Sequence, residues 1–155
     1  MTPLKKLARY IGRRPWLAKI GQHLVHVDIT LQRVTHGRIS FGGLAGLTPV
    51  LLTTTGRKTG QQRVTPLTAV PDGDSLLLVG SNWGGPKHPG WSANLIANPQ
   101  ATAEVRGHAF QVTATQLAGS PRTEAWATVT EAWPAYLDYA ERTDREIRIF
   151  RISLR

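Results

Sequence analysis

Five residues, Gly56-Arg57-Lys58-Thr59-Gly60, place two adjacent cations and a hydroxyl between two glycines. Glycine frees the backbone at each end of such a turn, and a guanidinium fork, an ammonium, a short O–H donor and exposed N–H groups meet at its tip. Those donors suit a phosphate or a carboxylate. A Walker A loop is excluded, because the glycines stand too close together and Lys58 precedes the second one. An ordinary basic hairpin has the same composition, so the turn by itself leaves an anion receptor and a plain surface turn both open.

Three further groups bear on that choice. In Gly80-Ser81-Asn82-Trp83-Gly84-Gly85-Pro86-Lys87 an apolar run ends in polar residues, and a glycine pair then allows close backbone approach to a flat ligand. The same segment also reads as a wide surface loop plugged by Trp83. Trp91 and Asn94 fall one helical turn apart, as pocket residues or as a core tryptophan with a satisfied amide. Tyr136 and Tyr139, at i and i+3 behind Trp133, make an aromatic face that suits a core or a cofactor box.

Other chemistries find little support. None of the five histidines lies in an HExxH pattern, and the pair His23/His26 has no carboxylate or cysteine at ligand spacing. No metal site is expected. There is no GxSxG elbow, no carboxylate pair beside a glycine-rich loop and no cysteine. Reactivity would therefore be borrowed from an organic cofactor.

At 155 residues and 41% hydrophobic, the chain is read as one domain, residues 1–155, with a single core. No apolar run approaches the roughly 20 residues of a membrane span. The basic start lacks an apolar h-region and a cleavage site, so no signal peptide is expected, and the missing cysteines suit a reducing cytosol. The formal charge of +9 favours anionic partners. Lys5, Lys6, Arg9, Arg13, Arg14 and Lys19 cluster at the start, and Arg142, Arg145, Arg148, Arg151 and Arg155 at the end. Neither cluster interleaves aromatics as a nucleic-acid surface does, so no nucleic-acid partner is expected.

The elements that must position these residues follow from periodicity. Leu4, Leu7, Ala8 and Ile11 form a helical stripe in a basic segment, residues 1–19, broken by Pro15. A second helical pattern runs through Leu17, Ile20, Leu24, Val27 and Leu31 towards Gly37, and residues 42–46 form a glycine-rich loop. Strands are predicted over 49–55, 63–71 and 75–81, the last two joined by a turn at Asp72-Gly73. A helix over 88–98 follows Pro89. A hairpin of 101–106 and 110–117 turns at Gly107, two helices over 121–132 and 135–141 divide at Trp133-Pro134, and 146–154 alternates as a last strand. About six strands in an antiparallel meander, with helices around them, make a small α+β barrel or curled sheet.

Taken together, LLTTTGRKTGQ.R..PL, the Asp-Gly turn, LLLVGSNWGGP.HPGW..NL.ANP and the closing WP.YLDY..RTDREI resemble the deazaflavin-dependent nitroreductases of actinobacteria, over roughly residues 48–149. The resemblance implies a split β-barrel related to flavin-mononucleotide-binding oxidases, with residues 48–155 as the cofactor-binding core and coenzyme F420 in a groove along the barrel. It implies that Arg57, Lys58, Thr59 and Arg63 receive the phosphodiester and acidic tail. Pro66 and Leu67 would border the ring system, Gly80, Ser81, Asn82 and Trp83 would lie along it, and Trp91 and Asn94 would close the pocket. Trp133, Tyr136 and Tyr139 would line the substrate side, and Ser81, Tyr136 or Tyr139 would donate a hydrogen bond to the reduced substrate. Many family members carry tyrosine where Trp133 stands, which gives this chain a bulkier wall without that phenol. The expected activity is hydride transfer from reduced F420 to a quinone, an enone or a nitroaromatic. The alternatives are flavin mononucleotide as cofactor, and a non-catalytic carrier or sequestering module. A cytoplasmic monomer or homodimer is expected, with residues 1–19 either resting on an anionic membrane or forming a surface arm.

Overall fold

The computed structural model describes residues 46–154, together with Val27, Thr30, Leu31, Val34 and Thr35. The basic segment 1–19, the glycine-rich loop before Gly46 and His23, His26 and His36 lie outside the described residues. Six strands close into an antiparallel barrel: β1 (Thr48–Thr55), β2 (Gln62–Asp72), β3 (Ser75–Val79), β4 (Gln100–Val105), β5 (His108–Gln116) and β6 (Ile149–Ser153). Helix α1 spans Gly90–Ala97, α2 spans Gly119–Ala132 and α3 spans Ala135–Glu141.

The order around the barrel is β1-β2-β3-β6-β5-β4, so the chain is not the simple meander that sequence adjacency suggested. β6 enters between β3 and β5, and β4 closes against β1. The reason lies in the side chains. Leu76, Leu77 and Leu78 are all buried, so both faces of β3 must be covered and its free edge paired. β6 supplies Phe150 and Ile152 to the inner face, and Ile149 to the outer.

Two apolar layers result from this period-two division. Inside the barrel lie Val50, Leu52, Ala69, Leu76, Leu78, Ala103, Val112, Phe150 and Ile152. Outside it, Val70, Leu77 and Ile149 pack with Ala125 and Val129 of α2 and Ala135, Tyr136 and Tyr139 of α3. Each fully buried Leu or Ile contributes about 1.5–3 kcal/mol relative to an exposed one. α1 adds to the inner layer through Trp91 and Leu95, an i, i+4 pair, and the Trp91 ring meets Phe150 edge-on at 5.6 Å. Prolines set the helix limits. Asn98 before Pro99 and Trp133 before Pro134 both leave helical geometry, as residues preceding proline tend to.

β1 and β2 meet at the Gly56–Gly60 turn, β3 ends at Val79 just before Gly80, and β6 begins at Ile149 beside Val79. The turn, the Gly80–His88 loop and α1 therefore gather at one end of the barrel. Among the described residues, no helix is long and apolar enough to cross a membrane.

Candidate cofactor and substrate site

The turn is closed by its own backbone. The Gly56 N–H donates to Gln61 O at 2.7 Å and the Gly60 N–H to Gly56 O at 2.7 Å, with Gly60 at φ +70°. Thr59 Oγ1 accepts the Gln61 N–H at 3.3 Å. Arg57, Lys58, Thr59 and Arg63 are exposed. Arg63 reaches Gln61 Oε1 at 3.4 Å, and among the described residues Arg57, Lys58 and Arg63 make no ion pair with a carboxylate. The turn thus presents three cations with no carboxylate to neutralise them, which fits an anionic group.

Asn94 fixes that turn to the helix. Its side-chain oxygen accepts the Arg57 backbone N–H at 3.2 Å and the Arg57 Nη1–H at 3.4 Å. Its amide nitrogen donates to Thr54 Oγ1, which is fully buried, at 3.1 Å. The β1 end, the turn and α1 are therefore tied together through this one side chain.

The Gly80–His88 loop is held against intrinsic preference. Asn82, Trp83 and Gly84 have φ of 45°, 56° and 76°. Two of these are side-chain-bearing residues in the left-handed region, where each costs on the order of 1–3 kcal/mol. Gly84 must be glycine, since a Cβ there would lie 2.7 Å from Tyr139 O. The compensating contacts come mainly from Arg145. Its Nε donates to Gly85 O at 3.0 Å, Nη1 to Gly80 O at 3.1 Å and Nη2 to Ser81 O at 2.6 Å, and Nη1 lies 3.3 Å from His88 Nδ1. Hydrogen bonds from a charged group contribute about 1.5–3 kcal/mol each, enough to offset the strain. Asn82 Nδ2 adds a bond to Lys87 O at 3.0 Å. His88 is held below its ordinary pKa by burial, then by Arg148 and Arg145, so its neutral ring can accept the Arg145 N–H. Arg145 itself is pulled below the usual guanidinium range by burial and by Arg148.

The aromatic group reaches the same loop from the outer layer. Tyr136 and Tyr139 are both buried, their rings 6.0 Å apart, and Trp83 lies 5.8 Å from Tyr139. Burial, and secondarily Tyr139, pushes the Tyr136 phenol far above its ordinary pKa, so it stays protonated. Burial also raises Tyr139, against a hydrogen bond from Trp133 and the nearby Arg142. Arg142 stands over the Tyr139 ring at 5.4 Å.

The profile of F420H(2)-dependent quinone reductases matches residues 21–153. The chain belongs to this family. The F420H(2)-dependent quinone reductase Rv1261c of Mycobacterium tuberculosis is 38% identical over 145 residues, covering 90% of this chain and 97% of that protein. Among solved structures, the F420-H2 dependent reductase FDR-A superposes with a TM-score of 0.62 at 37% identity, over 68% of this chain and 94% of the other. The heme storage protein HutZ of Vibrio cholerae, at 15% identity and a TM-score of 0.53 over 70% of this chain and 82% of its own, shares the fold alone. As an F420H(2)-dependent reductase this chain is an oxidoreductase with a split-barrel fold, and coenzyme F420 is its cofactor.

Within this family member, the residues singled out in sequence divide by location. Arg57, Lys58, Thr59 and Arg63 share the exposed turn, and Gly80, Ser81, Asn82 and Trp83 share the strained loop. Pro66 and Leu67 lie on β2, half-buried, opposite Leu51 and Val50 of β1. Trp91 faces the barrel interior and Asn94 bonds the turn. Trp133, Tyr136 and Tyr139 stand in the helix layer and meet the loop through Trp83 and Gly84. Sequence reading missed Thr54, His88 and Arg145. Arg145 contacts residues 57 to 65 positions away, and nothing in a single sequence marks such a pair. Among the described residues, no three His, Asp or Glu side chains gather as a metal site.

Proposed function

We propose that this chain binds reduced F420 across the barrel end, with the acidic tail on the Arg57–Arg63 turn and the ring along Gly80–Trp83, and reduces a quinone-like acceptor stacked on the ring. The observation that carries this reading is the turn and the start of β2: three exposed cations with no carboxylate partner among the described residues, on a turn backbone bonded to α1 through Asn94. The bound deazaflavin supplies the hydride, and the chain supplies binding, orientation and a proton-donating surface.

Lys58 and Arg63 would hold the phosphate and carboxylates, Arg63 bidentately and Lys58 as a point charge. The half-buried Pro66 and Leu67 offer an apolar edge for the ring. Ser81, half-buried at the start of the loop, would donate its hydroxyl to the acceptor oxygen that gains negative charge. Tyr136 and Tyr139 are the other donors in this reading. Their burial favours a wall role, with Trp133 filling the same layer. Enones and nitroaromatics are likewise electron-poor π systems whose oxygen gains negative charge on reduction, and belong to the substrate class.

The reading extends to assembly and place. A solved relative, 33% identical with a TM-score of 0.64 over 81% of this chain and 95% of its own, is described as a domain-swapped dimer, which supports a homodimer here. Light scattering after gel filtration tests that. The lysines and arginines of residues 1–19 would carry a cytoplasmic protein to an anionic bilayer, to be tested by flotation with anionic and zwitterionic vesicles.

The deciding experiment mixes protein with reduced F420 and menadione and follows deazaflavin absorbance. Protein-dependent oxidation that needs the quinone is expected. Tight binding with no turnover across quinones and enones would leave only a carrier.

A further inference from the structure

We infer that Arg145 is a positioning residue for this reaction: its guanidinium pins the strained Gly80–His88 loop in the shape that presents Ser81 and Trp83 to the bound ring and its acceptor. The functional half of this inference rests on the ring site proposed above, whereas the pin itself rests on distances alone.

Every nitrogen of the guanidinium is engaged by the loop. Nε and Nη2 bond Gly85 O and Ser81 O at 3.0 and 2.6 Å, and Nη1 bonds Gly80 O at 3.1 Å and lies 3.3 Å from His88 Nδ1. The planar fork thus spans both ends of the loop, from Gly80 to His88, as a single rigid body. Between those ends lie the left-handed residues Asn82, Trp83 and Gly84. The backbone anchors the loop at its start, where Gly80 N–H donates to Arg148 O at 2.8 Å; beyond that point its backbone bonds are short-range, Gly84 N–H to Ser81 O and Gly85 N–H to Asn82 O. Gly84 lies against Tyr139 of α3 with no room for a Cβ, so α3 as well as the Arg145 head borders the loop.

Three features make this a functional device as well as a stabilising one. The guanidinium meets carbonyls and an imidazole and, among the described residues, no carboxylate, so it is committed to the loop. The carbonyl it holds at Ser81 belongs to the residue assigned as donor to the acceptor. Finally, an error of about 1 Å in a reacting geometry costs on the order of 100-fold in rate, and four contacts to one head limit errors of that size.

The test compares wild type with Arg145→Ala and Arg145→Lys in the full-length chain. Hydrogen exchange without cofactor is expected to show the Gly84 and Gly85 amides exchanging at least about tenfold faster in Arg145→Ala, while Leu77 and Leu78 of β3 keep wild-type protection. In turnover with reduced F420 and menadione, kcat should fall by about 100-fold, with the dissociation constant for F420 changing less than about fivefold because the Lys58 turn is untouched. Added guanidinium at tens of millimolar, well below denaturing levels, should restore part of kcat in Arg145→Ala and none in wild type. Arg145→Lys, which keeps the charge without the fork, should fall between the two. Unchanged exchange at Gly84 and Gly85 overturns the pin. Faster exchange with unchanged kcat overturns the positioning role. Should Arg145→Ala fail to fold, exchange and kcat in Arg145→Lys decide the pin and the positioning role by the same criteria. If wild type itself shows no turnover, the ring-site reading fails while the exchange result still judges the pin.

Discussion

Asn94 Oδ1 lies 3.2 Å from the amide nitrogen of Arg57, so one helix residue sets the backbone of a turn 37 positions upstream. The same side chain also satisfies the buried hydroxyl of Thr54. Asn94→Ala leaves the Arg57 N–H and Thr54 Oγ1 without this partner, at a cost of about 1–3 kcal/mol. Urea denaturation should show that loss, and F420 affinity should fall with it as the turn loosens. Stability within about 0.5 kcal/mol of wild type, the range of ordinary surface changes, would refute the clamp.

Lys58 and Arg63 are exposed, so their removal should leave the fold alone and act on binding. Each alanine substitution should weaken F420 by about tenfold or more, in keeping with loss of a charge-assisted hydrogen bond. The effect should shrink as salt rises, since exposed charges are screened beyond about 10 Å at 0.1 M. Titration of the oxidised cofactor at two salt concentrations measures both. Equal affinity in wild type and the double variant would remove the turn from the site.

Much of the architecture was legible because its signals are local. Alternation along β2 and β6, the Asp-Gly turn and the prolines before α1 and α3 each fix an element from neighbouring residues. The place of β6 was not legible, because strand order depends on which distant edge needs an apolar partner, here that of β3. The cation turn was visible as a cluster of residue types, yet its rigidity comes from Asn94, a contact that no periodicity encodes. Arg145 shows the limit most clearly. In sequence it is one of several C-terminal cations, and only the closed barrel brings it under the Gly80–His88 loop.

Ser81 and Tyr136 make separable predictions. Ser81 starts the strained loop and is half-buried, whereas Tyr136 is 5% exposed within the helix layer. Ser81→Ala should lower kcat by about 10–100-fold with little change in F420 binding, as expected for a donor to developing charge. Tyr136→Phe should change kcat by less than about threefold, since only a buried hydroxyl is lost and the ring stays. Steady-state kinetics with menadione decides between them. A larger loss in Tyr136→Phe would transfer the donor role to the tyrosine.

His88 gives the loop a pH dependence whose sign can be worked out. The charged groups acting on its ring are Arg148 and Arg145, both cations, and with burial they hold its folded pKa below the ordinary 6.5. As pH falls, the unfolded chain therefore takes up this proton before the folded one does. The contribution to stability is intact above about pH 6.5, declines through the window between 6.5 and the lower folded value, and is constant below it. Protonation within that window also turns Nδ1 from an acceptor into a donor facing Arg145, so the loop should loosen as well. The ring is partly solvent-accessible, which keeps the effect small. Melting temperatures of wild type and His88→Gln, compared from about pH 7.5 to 5, isolate it from the carboxylates common to both. The two curves should run parallel above about 6.5, with wild type losing more stability below it. Parallel curves throughout, together with unchanged Gly85 amide exchange at about pH 5, would show that His88 takes no part in holding the loop.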